Sequence, residues 1–100
     1  MTREAAIQEL EAYRVRIDAV DLRLLELLNE RTRVVEDIGR VKRAAQLPIY
    51  EPKREDQVFE NITSHNGGPL TADAVKRIFE RIIDEMRSIQ RLRMEKSEES

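Results

Sequence analysis

Between residues 17 and 42 the chain reads IDAVDLRLLELLNERTRVVEDIGRVK, with apolar residues at Ile17, Val20, Leu24, Leu27/Leu28, Val34/Val35, Ile38 and Val41. That spacing predicts an amphipathic helix, and no Gly or Pro interrupts it before Gly39. The seam has one break. Steps of seven from Ile17 through Leu24 land on Arg31 before reaching Ile38, so a cation stands where the pattern calls for leucine. Lys42 follows after about 1,100° of helical rotation, roughly 20° off Arg31 and about 16 Å along the axis. Two cations thus share a face that otherwise reads as core. Unpaired buried charge is costly, which predicts that something anionic meets them.

The seam extends backwards through Tyr13, Leu10 and Ile7, so one helix is predicted from Met1 to about Ala45, some ~60 Å long at 1.5 Å per residue. A compact domain of 100 residues has a radius of gyration of about 13 Å, hence a diameter of roughly 33 Å. Such a helix outruns its own chain, which predicts an intertwined oligomer, most simply a twofold homodimer. Gln46-Leu47-Pro48-Ile49-Tyr50-Glu51-Pro52 is a linker, because two prolines forbid continuing helix. A second helix opens on Pro52 and runs to His65, with Val58, Phe59 and Ile62 as its apolar side. After the break at Asn66-Gly67-Gly68-Pro69, Thr71 caps a third helix, and Leu70 with Val75 has the spacing of a hydrophobic staple. Val75, Ile78, Phe79, Ile82, Ile83, Met86 and Ile89 carry that helix to about Arg93. The expected fold is all-α, with three helices per chain (long, short, long) in an intertwined helical homodimer. Residues 1–93 form the domain and residues 94–100 a polar, frayed C-terminal tail.

Composition narrows the function. A charged fraction of 38% beside a hydrophobic fraction of 40% suits amphipathic helices, and aromatics at 4% do not suit a sandwich or barrel. The formal net charge is −2, with the two signs interspersed, so nucleic acid is not an expected partner. No apolar run crosses a bilayer and no signal-peptide core is visible, so a cytoplasmic protein without a membrane partner is expected. Cysteine is absent and His65 is the only histidine, lying close to the glycine loop. Thiolate nucleophiles, zinc-thiolate sites, histidine triads and metal clusters are therefore not expected. The available chemistry is that of Arg, Lys, Glu, Asp, Gln and hydroxyls.

Further polar residues break the pattern. Arg54-Glu55 stands in the first turn of the second helix, one turn after Glu51, where ordinary first-turn charge and capping are the plain alternatives. Gln90 repeats the Arg31 anomaly, because the steps Phe79, Ile82/Ile83 and Met86 lead onto it, so an amide lies on a core stripe. Arg14 sits beside the seam, ~25 Å and about 100° from Arg31. It cannot serve Arg31's site on a straight helix, but in a dimer of antiparallel helices it could reach the partner's.

With these positions laid out, the chain resembles the all-helical chorismate mutases from about Arg14 to Leu92. The motifs are Arg14-Val-Arg-Ile17-Asp18-Ala-Val-Asp21 with Leu24, Leu25, Leu27, Leu28 and Arg31; Ile38-Gly39-Arg40-Val41-Lys42; Pro48-Ile49-Tyr50-Glu51-Pro52-Lys53-Arg54-Glu55; and Ile78-Phe79-Glu80-Arg81-Ile82-Ile83 with Gln90 seven residues on. The Glu51-Pro52 linker and Asn66-Gly67-Gly68-Pro69-Leu70 are most similar to mutase domains fused or bound to DAHP synthase, which makes that enzyme an expected partner. The resemblance implies an isomerase of aromatic amino-acid biosynthesis that converts chorismate to prephenate without a metal or cofactor, working as an intertwined dimer whose sites are each completed by one residue of the partner. It further implies that Arg31 and the partner's Arg14 hold the substrate carboxylates. Lys42 would span a carboxylate and the ether oxygen, and Gln90 would donate to that oxygen. Glu55 would accept from the ring hydroxyl, supported by Arg54 and the backbone or side chain of Glu51. The chain departs from some members in carrying Met86 where a serine contacts a substrate carboxylate. Two rival readings are an isochorismate-pyruvate lyase, of the same fold and nearly the same polar set, and a non-catalytic helical regulatory module that docks on DAHP synthase.

Overall fold

The computed structural model describes the backbone of residues 1–99 and the side chains of residues 1–93. Three helices succeed one another: α1 (Arg3–Ala44), α2 (Pro52–His65) and α3 (Ala72–Glu99). Thr2 starts α1 by accepting a hydrogen bond from the Ala5 amide on Oγ1 at 3.1 Å, the role of an N-cap. Glu4 in the first turn and Lys42 and Arg43 in the last complement the helix dipole.

How α1 ends decides where the next segment goes. The Leu47 amide donates to the Lys42 carbonyl at 2.7 Å and the Gln46 amide to the Arg43 carbonyl at 3.2 Å. This paired return is a Schellman motif, which needs a left-handed residue where Gln46 stands. Gln46 adopts it, with φ of 56°. Pro48 then keeps the linker extended until Pro52 opens α2 at its first residue.

The chain divides into two compact units, Met1–Arg33 and Val34–Ser100. The first is the N-terminal stretch of α1. Its predicted core stripe, Ile7, Leu10, Tyr13, Ile17, Val20, Leu24 and Leu27, is exposed in the single chain. The helix forms as the spacing predicts, but within one chain the stripe is a surface.

The second unit contains the core. Val35 of α1 and Val75, Ile83 and Met86 of α3 are buried, and Val58, Phe59 and Ile62 of α2 are partly buried. Between α2 and α3, Asn66 organises the turn. Its Oδ1 accepts from the Gly68 amide at 3.0 Å and its Nδ2 donates to the Leu70 carbonyl at 2.7 Å. Gly68 has φ of 79°, which glycine adopts without a steric cost. Thr71 caps α3 as expected, accepting from the Ala74 amide at 3.1 Å; of the staple pair, Val75 is buried and Leu70 remains exposed. The helix continues to Glu99, six residues past the predicted end at Arg93. The sequence between them contains neither Gly nor Pro and is rich in good helix formers, so nothing local stops it. The side chains of the expected polar tail lie outside the described residues. Among the described residues no helix is long and apolar enough to cross a membrane.

The left-handed Gln46 supplies a stability prediction. A side chain in that conformation costs about 1–2 kcal/mol, partly offset in a Gly variant by extra unfolded-state freedom. Gln46→Gly should therefore raise the thermal midpoint by about 4 °C, the shift of roughly 1 kcal/mol in a domain of this size. Gln46→Val should lower it. Calorimetry of the three proteins checks the order.

Candidate active site

Val35, Gly39 and Lys42 recur at i, i+4 and i+7 on α1 and so share one face. Gln90 of α3 packs onto this face and is buried, with 8% exposure. Its Nε2 donates to the Val35 carbonyl at 3.3 Å. A carbonyl oxygen only accepts, so the contact fixes which way round the amide sits and leaves a second N–H on the same nitrogen. Gly39 lies beneath the side chain. A Cβ there would meet Gln90 Cγ at 3.5 Å, an ordinary contact that leaves no room for a larger group.

Lys42 lies two turns beyond Val35. Its side chain is 12% exposed, and Nζ pairs with Glu51 Oε1 at 2.8 Å and donates to the Ile49 carbonyl at 3.0 Å. The anion that the sequence pattern called for is thus met in part from within the chain. Glu51 occupies the N-cap position of α2 but makes no side-chain cap hydrogen bond; its carboxylate goes to Lys42 instead. The plain capping alternative does not hold for this side chain.

Glu55, one turn into α2, is largely buried and pairs with Arg87 of α3, Nη2 to Oε1 at 2.8 Å. Arg87 also reaches Asp84 at 3.1 Å and lays its guanidinium 5.1 Å from the centre of the Tyr50 ring. Its buried Nε has no hydrogen-bond partner among the described residues. The Glu51 carbonyl accepts from the Glu55 amide at 3.1 Å, but neither the Glu51 nor the Arg54 side chain holds the Glu55 carboxylate. Arg54 is exposed and contacts Gln57 at 3.5 Å, and Glu51 is taken by Lys42. Sequence reasoning passes over Arg87 because Asp84 three residues earlier makes it read as an ordinary surface pair. Its position three before Gln90, hence on an adjoining part of the same helix face, is the available signal. Met86 is buried in the core.

In the first unit, Arg14 is exposed and pairs with Glu11 at 2.8 Å. Arg31 is partly buried and is not without a partner. His65 is exposed, its Nδ1 against the Asn61 carbonyl at 2.7 Å. Among the described residues no group of three His, Cys, Asp or Glu could hold a metal ion.

Residues 13–91 match the family model of chorismate mutase type II. The chain belongs to this family. It is 37% identical over 89 residues to the bifunctional chorismate mutase/prephenate dehydratase of Aquifex aeolicus, a match that covers 85% of this chain and 25% of that protein. The chain spans about a quarter of the length of the curated relatives it first matches. Among solved structures it is similar to the chorismate mutase (form II) of Thermus thermophilus, with a TM-score of 0.81 and 32% identity over 83% of this chain and 94% of that one. The chorismate mutase of Helicobacter pylori in complex with prephenate gives a TM-score of 0.82 at 26% identity, over 88% of this chain and 96% of that one. The type II mutase fold is thus all-helical here, as the three-helix reading expected.

The packing of Gln90 over Gly39 can be checked by unfolding. Gly39→Ala should be neutral or stabilising by up to ~1 kcal/mol, since it improves helix propensity and meets Gln90 at contact distance. Gly39→Leu should lose about 1–3 kcal/mol by overpacking. Denaturant titration followed by circular dichroism distinguishes the two.

Proposed function

We propose that this chain is a chorismate mutase, catalysing the one-step pericyclic rearrangement of chorismate to prephenate. Membership of the type II family supports the reading, as does the prephenate bound to the similar Helicobacter pylori mutase. The observation that carries it is Gln90, a buried amide whose nitrogen is oriented by a main-chain carbonyl on the helix face that bears Lys42.

The reaction explains the residue types. Chorismate carries two carboxylates, a ring hydroxyl and an enol ether, and its rearrangement moves electrons in one ring of six atoms, with no proton transferred. The protein must hold the folded diaxial conformer and stabilise the negative charge that grows on the ether oxygen as its bond to the ring stretches. In this reading Gln90 gives its second N–H to that oxygen. Lys42, poised by Ile49 and Glu51, spans the same oxygen and a carboxylate. Arg31 and the partner's Arg14 grip the carboxylates, for which a planar, permanently charged fork is suited. Glu55 accepts the ring hydroxyl. Arg54 remains at the rim, and Met86 supplies packing where other members have a hydroxyl.

The working unit in this proposal is an intertwined homodimer. The exposed apolar stripe of α1, from Ile7 to Leu27, supports it, because burying such a stripe on a second copy is strongly favourable. Docking on a DAHP synthase is proposed from the Glu51-Pro52 linker and the 66–70 loop; a cytoplasmic setting is proposed with it.

Two experiments test the function and the assembly. Purified protein should consume chorismate, followed by its ultraviolet absorbance, with prephenate as the product; formation of pyruvate from isochorismate instead would favour the lyase. Gln90→Ala should lose turnover by ~10²-fold or more at every pH, as deletion of an oxyanion donor does. Gln90→Glu should be active in mild acid and fade as pH rises, because the introduced carboxyl donates only when protonated and burial raises its pKa. Both variants should remain folded by circular dichroism. Sedimentation should give twice the chain mass of 11.7 kDa, and a heavier species once DAHP synthase of the same source is added. Mixing inactive Arg14→Ala and Arg31→Ala proteins should restore one intact site per exchanged dimer, and no recovery after verified exchange would refute a shared site.

A further inference from the structure

Arg87 touches none of the substrate groups in the proposed reaction, yet three features mark it out. Its Nη2 ties Glu55, at 2.8 Å, across from α3 to α2. Its guanidinium is stacked over Tyr50 of the linker, 5.1 Å from the ring centre. Its Nε is buried without a partner among the described residues, an arrangement that costs free energy and is rarely kept without a reason. A surface ion pair is under no such constraint. Three chain segments converge on this one side chain, and Gln90 lies a single turn further along α3.

We propose that Arg87 is a positioning residue that fixes the Glu55 carboxylate for the ring hydroxyl of the substrate. The inference rests on the mutase reading. Glu55 is the member of the proposed site whose task is to accept a hydrogen bond from the substrate, and a carboxylate on three rotatable bonds must be held to do so. Arg87 holds it by one charge-assisted hydrogen bond through Oε1. Tyr50 holds the guanidinium against the linker, so Arg87 stays in place and Glu55 cannot swing to solvent without breaking its ion pair. Arg87 thereby holds the Glu55 carboxylate, which the Arg54 and Glu51 side chains do not contact. The ring hydroxyl carries nearly the same charge in substrate and transition state. Loss of its acceptor should therefore weaken binding rather than slow the chemical step.

The test compares chorismate with the analogue in which hydrogen replaces the ring hydroxyl, for the parent, Arg87→Met, Arg87→Lys and Glu55→Gln. Arg87→Met should raise KM for chorismate about tenfold, the worth of one hydrogen bond to a charged group, with kcat within about threefold. For the analogue, Arg87→Met and parent should agree in kcat/KM within about twofold, since Glu55 then has nothing to hold. Arg87→Lys should recover part of the loss. The double variant Arg87→Met/Glu55→Gln should be no worse than Glu55→Gln alone, which keeps the test valid if Arg87→Met is poorly folded. Equal losses on both substrates, or additive losses in the double variant, would overturn the positioning role while leaving the mutase reading intact. A folded parent that leaves chorismate untouched would overturn the mutase reading, and the role of Arg87 with it.

Discussion

The course of the chain from α1 into α2 depends on the double engagement of the Lys42 ammonium, by the Ile49 carbonyl at 3.0 Å and the Glu51 carboxylate at 2.8 Å. It joins the last turn of α1 to the linker and to the N-cap position of α2. The Schellman turn at Gln46 supplies the reversal, and Lys42 contributes its carbonyl to that turn as well as its side chain to the linker. One residue therefore both ends the helix and anchors the linker beyond it. Tyr50 and Glu51 are held within that loop, and through them the stacked Arg87 and the start of α2.

Much of this is legible in the residues alone. The apolar spacing of α1, the proline at the head of α2 and the Thr71 cap point to three helices with nearly correct ends. Gln90 stands out because an amide interrupts a core stripe, and it is buried. The α1 stripe shows what periodicity does not carry. It reveals that a face is apolar, but not what covers that face. The overrun of α3 past Arg93 has a local cause, since polarity does not end a helix that lacks Gly and Pro.

The polar pairings are harder to foresee. Glu51, Arg54 and Glu55 lie within about one helical turn, and grouping them as mutual supports is the natural reading. The structure separates them: Glu51 turns to Lys42, Arg54 to Gln57 and Glu55 to Arg87. Which way a short helix faces is set by packing between α2 and α3, and a pair 32 residues apart in sequence leaves no periodic trace. Arg87 has a partner nearer in sequence in Asp84, which disguises it.

Two of the contacts that orient polar groups here end on main-chain oxygens, those of Val35 and Ile49. A main-chain oxygen survives any replacement of the side chain that shares its residue. Val35 or Ile49 can drift among apolar residues of similar size without removing the acceptor that aims Gln90 or Lys42. The orientation of both groups thus does not depend on the side chains at positions 35 and 49. What evolution can still alter is access, and at Gln90 that is governed by the missing side chain at position 39.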